Sequence, residues 1–304
     1  MKCNFKEKGK EHGDTMKYQL ITDATADMFE EIFQEVPELD LIPMEVILDG
    51  EARTYGPGGD LTVEDFYRAL RAGKYGSTSQ ITPYTYTKTF EKYLKEGKDV
   101  LYLAFSSGLS ATYQTACGCA EQLREVYPER KILCIDTRCA CAGQGLLVYE
   151  AALKWKEGAA IQELADWVKE RRLFMCHWFT VDNLEYLKKG GRISAATAAI
   201  GSILQVKPLL RVDDDGKLVA AGKPRGQRQA TNMKIKAMEE TWDPALSTNV
   251  WIAHADCREE AEKLKAEVEK HFPQAHCRIG WVGPIIGMHT GPGMQALLFW
   301  GKRR

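Results

Sequence analysis

A run of hydroxyl side chains lies at residues 106–114, where Ser106, Ser107, Ser110 and Thr112 follow a short apolar segment at 100–105. The pattern predicts a strand that ends in small hydroxyl residues and leads directly into a helix. Free backbone N–H groups, the positive end of the helix dipole and several hydroxyl donors would then surround one point, which suits an anion. No His or carboxylate stands beside the run in the sequence. The hydroxyls are therefore as suited to holding an anionic headgroup as to attacking a substrate.

Two further stretches could line the same site. Residues 23–27 follow the first predicted strand, and ligands gather at the carboxyl ends of parallel strands, although Asp23 could equally cap the next helix. Residues 77–83 form a second hydroxyl-rich stretch, predicted as a loop. We expect Thr82 to cap the helix that Pro83 begins. A helix cap needs only one hydroxyl, so those of Thr78 and Ser79 could contact a ligand.

Two glycine-containing stretches carry a cation and an imidazole. Arg192 follows Gly190 and Gly191, a pair that could simply end a helix. Its planar guanidinium also matches two oxygens of a carboxylate or phosphate. His289 stands in residues 288–293, whose glycines predict a loop with tight backbone around the imidazole. A lone His is more often structural than functional, so both roles stay open for His289.

The composition limits the classes of partner. The 304 residues include 41 Lys and Arg against 42 Asp and Glu, a formal charge of -1. We therefore expect no nucleic-acid partner held by bulk positive potential. No apolar stretch approaches the roughly 20 residues of a membrane-spanning helix. Residues 1–15 lack the apolar segment of a secretory signal, and we expect them to be a disordered extension of a cytoplasmic protein.

Nine cysteines, an odd number without a secretion signal, indicate reduced thiols. Cys117 and Cys119 fall on a predicted helix, and Cys139 and Cys141 fall at a predicted strand-to-helix turn. Neither pair has the spacing with a His partner that zinc sites usually show. We therefore expect small buried thiols and no metal site.

The order of predicted elements changes near residue 158. Before it, short β-rich runs alternate with amphipathic helices, which predicts a three-layer α/β domain with a mainly parallel sheet over residues 16–158. Residues 41–48 are predicted as one of its strands and residues 25–33 as one of its helices. Residues 159–304 are predicted as an α+β domain with a mixed or antiparallel sheet. It would include a small-residue helix at 194–204 and a hairpin that turns at 213–217.

The joint order of these motifs resembles the DegV family of bacterial lipid-binding proteins, over nearly the whole chain from Lys17. The resemblance rests on Asp-x-Thr-Ala-Asp at 23–27, Thr-Ser-Gln at 78–80, Ser-Ser-Gly-Leu-Ser at 106–110, Gly-Gly-Arg-Ile-Ser at 190–194, Lys-Pro-Leu-Leu at 207–210, Arg-Gly at 225–226 and His-Thr-Gly-Pro-Gly at 289–293. In that family an α/β domain and an α+β domain enclose one acyl chain. The resemblance therefore implies this fold and a bound long-chain fatty acid, with no cofactor besides it.

The resemblance also implies roles for individual residues. Thr78 and Ser107 would hold the fatty-acid carboxylate. The surrounding headgroup neighbourhood would consist of Ser79, Ser106, Ser110, Arg192, His289 and Asp23. The protein would not be an enzyme itself: it would present the carboxylate to an ATP-dependent fatty acid kinase subunit, which forms an acyl phosphate. Transient contact with a membrane surface stays open.

Two other classes of function also stay open from the residues alone. In one, the protein is a hydrolase or phosphoryl-transfer enzyme with Ser107 as nucleophile and His289 as base. In the other, it is a lipid sensor that acts through protein contacts. Three departures from the family pattern bear on the site: Ala24 lacks a usual hydroxyl, Ala111 replaces a usual glycine, and residues 55–60 replace a more acidic loop.

Overall fold

The computed structural model describes residues 17–193 and 206–304. The predicted extension at 1–15 and the predicted helix at 194–204 lie outside the described residues. Within the described ranges, no helix combines the length and the apolar character needed to cross a bilayer.

The first sheet consists of four parallel strands in the order β2-β1-β6-β7. They are β1 (Tyr18–Asp23), β2 (Asp40–Ile42), β6 (Asp99–Ala104) and β7 (Ile132–Asp136). Every residue of β1 is buried, as in parallel sheets that are covered on both faces. The covering helices are α3 (Pro83–Lys95), α4 (Thr112–Val126), α5 (Cys141–Lys156) and α6 (Ile161–Arg171). The predicted α/β fold with a parallel sheet is confirmed.

A small antiparallel sheet of three strands, in the order β4-β3-β5, joins this part of the molecule. Its strands are β3 (Met44–Leu48), β4 (Glu51–Tyr55) and β5 (Gly76–Thr78), and α2 (Val63–Arg71) lies between β4 and β5 in the chain. The prediction of one strand at 41–48 is wrong, because Pro43 has no N–H to continue the ladder. The chain leaves the first sheet there and enters the small one. Strand β5 was not predicted, and it places Thr78 at a strand end rather than in a loop.

The predicted helix at 25–33 is also wrong. A short 3-10 turn (Ala24–Ala26) is followed by α1 (Glu30–Glu35). Asp27 separates them because its backbone is left-handed, with φ of 42°, which ends a right-handed helix. Asp23 accepts a hydrogen bond from the Thr25 N–H at 2.9 Å and so caps the 3-10 turn, as one of its two predicted roles required.

The second large sheet has six strands in the order β10-β9-β8-β13-β11-β12. They are β8 (Met175–Thr180), β9 (Leu209–Val212), β10 (Leu218–Gly222), β11 (Asn249–His254), β12 (His276–Trp281) and β13 (Gln295–Trp300). Only the pairing of β11 with β12 is parallel among these described strands. The predicted mixed sheet is confirmed, as is the hairpin, where Gly216 turns with φ of 75°.

Four described helices follow β8 in the chain: α7 (Glu185–Lys189), α8 (Gly226–Thr241), α9 (Arg258–His271) and α10 (Pro284–Thr290). Helices α8 and α9 pack on the six-stranded sheet, whereas α10 packs on β3 and β5 of the small sheet. Residues 288–290 form the last turn of α10, so the prediction of a loop at 288–293 is wrong for His289. Pro284 begins this helix at a position where a missing N–H costs nothing. Gly291, with φ of 71°, ends it.

The position of a domain boundary at residue 158 stays a prediction. The strands of the six-stranded sheet all follow that residue, and the other described strands precede it. Helix α6 follows residue 158 in the chain, yet it packs on β6 and β7. Helix α5 contacts β1 on one side and β8, β11 and β13 on the other, so it joins the two large sheets.

Candidate functional site

A cavity of about 160 Å³ lies between the carboxyl edge of the first sheet and the six-stranded sheet. Phe105 comes directly after β6 and Cys141 opens α5 after β7, so the ends of two parallel strands face the cavity. Most of the wall is apolar, and it includes Leu109, Phe179, Leu187, Ile285, Met294 and Leu298. The cavity is therefore suited to an apolar chain.

One end of the cavity is polar, where β5 meets α10. Thr78 and His289 both line the cavity, and Thr78 Oγ1 lies 2.9 Å from His289 Nε2. Gly190 makes room for the ring, because a Cβ at that position would lie 2.5 Å from His289 Nδ1. Burial, together with the neighbouring charge of Arg192, lowers the pKa of His289 to about 4. The imidazole is therefore neutral at neutral pH.

Arg192 supplies the positive charge at this polar end. Its Nε donates to the Leu109 carbonyl at 3.2 Å, and its Nη1 donates to the Gly190 carbonyl. Partial burial lowers the pKa of the guanidinium, which still stays protonated in proteins. Burial also lowers the pKa of His177, the second His of the wall, to about 3. Among the described lining residues, Arg192 alone thus carries a charge at neutral pH.

The hydroxyl run at 106–112 divides into two groups. Ser110 and Thr112 line the cavity, and their hydroxyl oxygens lie 2.8 Å apart. Ser106 instead donates its hydroxyl to the Gly216 carbonyl at 2.7 Å, and Ser107 donates its hydroxyl to Asp136 Oδ2 at 2.5 Å. Neither Ser106 nor Ser107 belongs to the cavity wall. Ser110 and Thr112 therefore face the cavity, whereas the hydroxyls of Ser106 and Ser107 are directed into the protein behind its wall.

The structure places a carboxylate, that of Asp136, beside the hydroxyl run. Asp136 is 29 positions from Ser107 in the chain, so the sequence does not show that the two are neighbours. It ends β7 and also accepts hydrogen bonds from the backbone N–H groups of Ser107, at 3.1 Å, and Arg138, at 2.9 Å. Ser107 and His289 bond to different partners, Asp136 and Thr78. The nucleophile and base of the enzyme alternative are thus not joined to each other in the structure.

The remaining predicted site residues are Ser79 and Asp23. Ser79 lines the cavity, and its N–H donates to the Glu45 carbonyl at 3.1 Å. Asp23 lies behind the wall, where it accepts a hydrogen bond from the Tyr102 hydroxyl at 2.5 Å. Burial raises the pKa of Asp23. Thr25, which Asp23 caps, lines the cavity in its place.

His177 is a wall residue that the sequence did not mark. It lies on β8, where its Nε2 accepts from the Ala140 N–H at 3.3 Å, and its Nδ1 lies 3.0 Å from the Met175 carbonyl. Gly143 of α5 must lack a side chain, since a Cβ there would lie 2.2 Å from His177 Nε2. No spacing in the sequence distinguishes this His from an ordinary buried one.

The structure describes all three positions that depart from the family pattern. Ala24 is buried in the 3-10 turn, and Ala111 occupies the cap position of α4 without a capping side chain. The loop at 55–60 is held by Asp60, which accepts from Arg53 Nε at 2.6 Å and from the Thr54 N–H at 2.7 Å.

Cys117 and Cys119 lie on α4, and Cys139 and Cys141 lie at the turn from β7 to α5, as predicted. Three of these four thiols are buried, whereas Cys117 is partly exposed. Eight cysteines in the described part of the chain are free thiols. Within residues 17–193 and 206–304, no group of three or more His, Cys, Asp or Glu side chains is arranged to hold a metal ion.

Fold and site together define an α/β protein with two large sheets and an apolar cavity whose polar end carries hydroxyls, an imidazole and one cation. A family model described as "Uncharacterised protein, DegV family" matches residues 17–302. The chain belongs to the DegV family, as the motifs predicted. A DegV domain-containing protein of Clostridium perfringens is 40% identical over 290 residues, which cover 95% of this chain and 99% of that protein.

Two solved structures have the same fold. A fatty acid binding DegV family protein from Streptococcus agalactiae is 27% identical to this chain and superposes with a TM-score of 0.81. The match covers 95% of this chain and 100% of that one. A DegV family protein from Thermus thermophilus, described by its fatty acid binding, is 26% identical with a TM-score of 0.81, covering 94% and 100% of the two chains.

Proposed function

We propose that this protein binds one long-chain fatty acid in the cavity and presents its carboxylate to an ATP-dependent kinase subunit. The observation that carries the proposal is the polarity of the cavity: an apolar wall leads to one end with a single charged residue, Arg192, beside Thr78 and His289. The fatty acid binding of the related DegV structures supports the same ligand class.

The acyl chain would supply most of the affinity. Burying each CH₂ contributes about 0.8 kcal/mol, so a dozen contribute about 10 kcal/mol before the cost of ordering the chain. The volume of about 160 Å³ is close to that of an apolar cavity that accepts benzene. A long chain would therefore displace flexible wall side chains such as Met44 and Met294, whose unbranched thioethers adapt readily.

The carboxylate would be held by hydroxyl donors and by Arg192. If the neutral His289 carries its proton on Nε2, it donates to Thr78 Oγ1, and the Thr78 proton is free to reach a carboxylate oxygen. We propose Ser110 as the second hydroxyl, with Ser79 nearby. Both line the cavity, whereas the hydroxyl of Ser107, which the family resemblance implies, is directed to Asp136.

Ser107 and Ser106 would then act by shaping the loop that carries Ser110. The Asp136 carboxylate ties Ser107 through both its hydroxyl and its N–H, and the Gly216 carbonyl holds Ser106 to the hairpin of the six-stranded sheet. Asp23 would act in the same way on Thr25.

A carboxylate at this polar end would be reactive toward a phosphoryl donor. In the proposed transfer, a carboxylate oxygen forms a bond to the γ-phosphorus of ATP bound on the partner. The bond to the bridging oxygen breaks, ADP leaves with the electron pair, and the products are acyl phosphate and ADP. Arg192 would stabilise the charge of the acyl phosphate directly, and His289 would do so through the Thr78 hydroxyl that it orients. The reaction would take place in the cytoplasm.

Native mass spectrometry of protein purified from bacteria tests the ligand. We expect one long-chain fatty acid per chain, and replacing Arg192 by Met should reduce the bound fraction. Protein that carries no lipid, or a phospholipid in place of a fatty acid, would contradict the proposal.

Incubation of the loaded protein with ATP tests the partner. We expect acyl phosphate only when a kinase subunit is added. If the isolated protein releases product from an acyl or phosphate ester, and Ser107→Ala abolishes this release, the enzyme alternative is correct. Recovery of a partner without kinase activity would favour the sensor alternative.

A further inference from the structure

A second hollow of about 220 Å³ lies on the outer side of the polar end. We call it the vestibule. It shares three wall residues with the cavity, namely Thr78, Arg192 and His289. The rest of its wall includes Tyr75, Ser77, Tyr186 and Lys189. A group bound at Thr78 therefore faces the apolar cavity on one side and the vestibule on the other.

The vestibule is positively charged. Lys189 is the exposed last residue of α7, and Arg192 follows it three positions later. The vestibule wall in the described part of the chain contains no Asp or Glu, and Lys189 forms no ion pair with another described residue. Its neighbour Lys188, by contrast, lies 3.5 Å from Glu185. Lys189 is therefore available to an anion.

An aromatic side chain contacts the ammonium group of Lys189 at the vestibule wall. Its Nζ lies 4.6 Å from the centre of the Tyr75 ring, a distance at which a cation is attracted to the ring face. Tyr75 is 59% exposed, and its ring centre lies 6.2 Å from that of Tyr186. Both rings line the vestibule, and the contact of the Lys189 Nζ with the Tyr75 ring makes Tyr75 a positioning residue for Lys189.

We propose that the vestibule is a phosphoryl subsite, in which Lys189 contacts the outer oxygens of an acyl phosphate whose chain occupies the cavity. This inference rests on the proposed function. A carboxylate carries one negative charge, which Arg192 alone can match. A phosphoryl group carries about two at neutral pH, which two cations match. A volume of about 220 Å³ accommodates such a group with several waters, each of which takes about 30 Å³ of liquid volume.

The subsite gives the two headgroups different contacts. A fatty-acid carboxylate in the cavity would meet Arg192 but not Lys189, which the cavity wall lacks. An added phosphoryl group would extend into the vestibule, whose wall contains both cations. Lys189 should therefore favour the product of the transfer over the substrate, so that the protein retains acyl phosphate after ADP has left the partner.

A pair of neighbouring lysines provides the test and its control. Lys189→Met removes the ammonium group and keeps an unbranched side chain as far as Cε, and Lys188→Met does the same at an exposed position outside the vestibule. The probes are hexadecanoic acid and hexadecylphosphonate, a stable chain whose tetrahedral headgroup is a dianion only at mildly alkaline pH, so both titrations are run at pH 8.5. Binding of each probe is measured by isothermal titration calorimetry at low and high salt, and thermal unfolding confirms that both variants fold.

For Lys189→Met we expect about five- to tenfold weaker binding of the phosphonate, because a charge-assisted hydrogen bond is lost at a partly exposed site. Binding of the acid should be unchanged, and Lys188→Met should change neither probe. The salt dependence of phosphonate binding should also decrease in Lys189→Met. Equal loss for both lysine variants, or no loss for Lys189→Met, overturns the phosphoryl subsite while the fatty-acid proposal stands. If the unmodified protein does not bind hexadecanoic acid, the proposed function itself fails, and the subsite with it.

Discussion

The two halves of the hydroxyl run, residues 106–107 and 110–112, have similar composition and opposite environments. The hydroxyls of Ser106 and Ser107 are donated to the Gly216 carbonyl and to Asp136. Those of Ser110 and Thr112 bond to each other and line the cavity. A hydroxyl that donates its proton to a strong acceptor inside the protein stabilises the fold. A hydroxyl that faces a cavity can instead form a hydrogen bond with a ligand.

A similar division separates two of the acidic residues near the site, Asp23 and Asp136, from the cation in the cavity wall. Asp23 and Asp136 lie behind the cavity wall and bond to the backbone or hydroxyl groups of the protein. Arg192 stands in the wall itself. Negative charge is thus kept away from the position where an anion would bind, and positive charge is directed to it.

The largest effect on stability should come from Asp136→Ala. This change leaves the Ser107 hydroxyl, the Ser107 N–H and the Arg138 N–H without their acceptor, which should lower the free energy of unfolding by about 2–4 kcal/mol. Urea denaturation measures it. Asp166→Ala, at an exposed carboxylate of α6, is the control and should change stability little. Similar free energies of unfolding for the two variants would mean that the Asp136 contacts do not hold residues 106–107 in place.

The overall fold was predictable because most elements carry local patterns. The hairpin turns at residues 213–217 as predicted, and Thr82 caps α3 by accepting from the Thr85 N–H at 3.2 Å. Strand β5 has only three residues, too few to show alternation. The break at Pro43 depends on a change of sheet that no local pattern records.

The site was predictable only in part, because its contacts join distant residues. Thr78 and His289 were both candidates, but the bond between them spans 211 positions. Asp136 becomes a neighbour of Ser107 because β6 and β7 pair in parallel register. The sequence identified the hydroxyl run as a whole, whereas only tertiary packing decides which of its members face the cavity.

Thr78→Val tests the cavity-facing side of the comparison. The substitution keeps the shape of the side chain and removes the hydroxyl donor, so we expect about tenfold weaker fatty-acid binding in a fluorescent-lipid competition assay. Thr82→Val is a matched control four positions away. It removes the cap of α3 and should lower the free energy of unfolding by about 1 kcal/mol without changing affinity. If Thr78→Val binds as well as the unmodified protein, Thr78 does not hold the headgroup.

Ser107→Ala and Ser110→Ala compare the two halves of the run directly. Ser110→Ala should weaken fatty-acid binding by about three- to fivefold, the value of one neutral hydroxyl donor. Ser107→Ala should lower the free energy of unfolding by about 1 kcal/mol and leave the affinity unchanged, because its hydroxyl serves Asp136. The reverse result, in which Ser107→Ala weakens binding and Ser110→Ala does not, would restore Ser107 as the carboxylate contact.

The smallest expected effect is that of pH on affinity. With the pKa of His289 at about 4 and that of His177 at about 3, both imidazoles are neutral between pH 6.5 and 8.5, and Arg192 stays charged. Fatty-acid affinity should therefore be constant over that range, and calorimetry in two buffers of different ionisation enthalpy should detect no proton exchange on binding.

Arg192→Met should change this behaviour while it weakens binding. Burial lowers the pKa of His289 most, and the charge of Arg192 lowers it further. Loss of that charge raises the pKa of His289, and a bound carboxylate raises it again because an anion favours the imidazolium. Binding to the variant should therefore take up protons and strengthen as the pH falls from 7 toward 6. If the unmodified protein already takes up protons when it binds the fatty acid at pH 7, His289 is a cation in the complex. Arg192 would then not be the only charged group that holds the carboxylate.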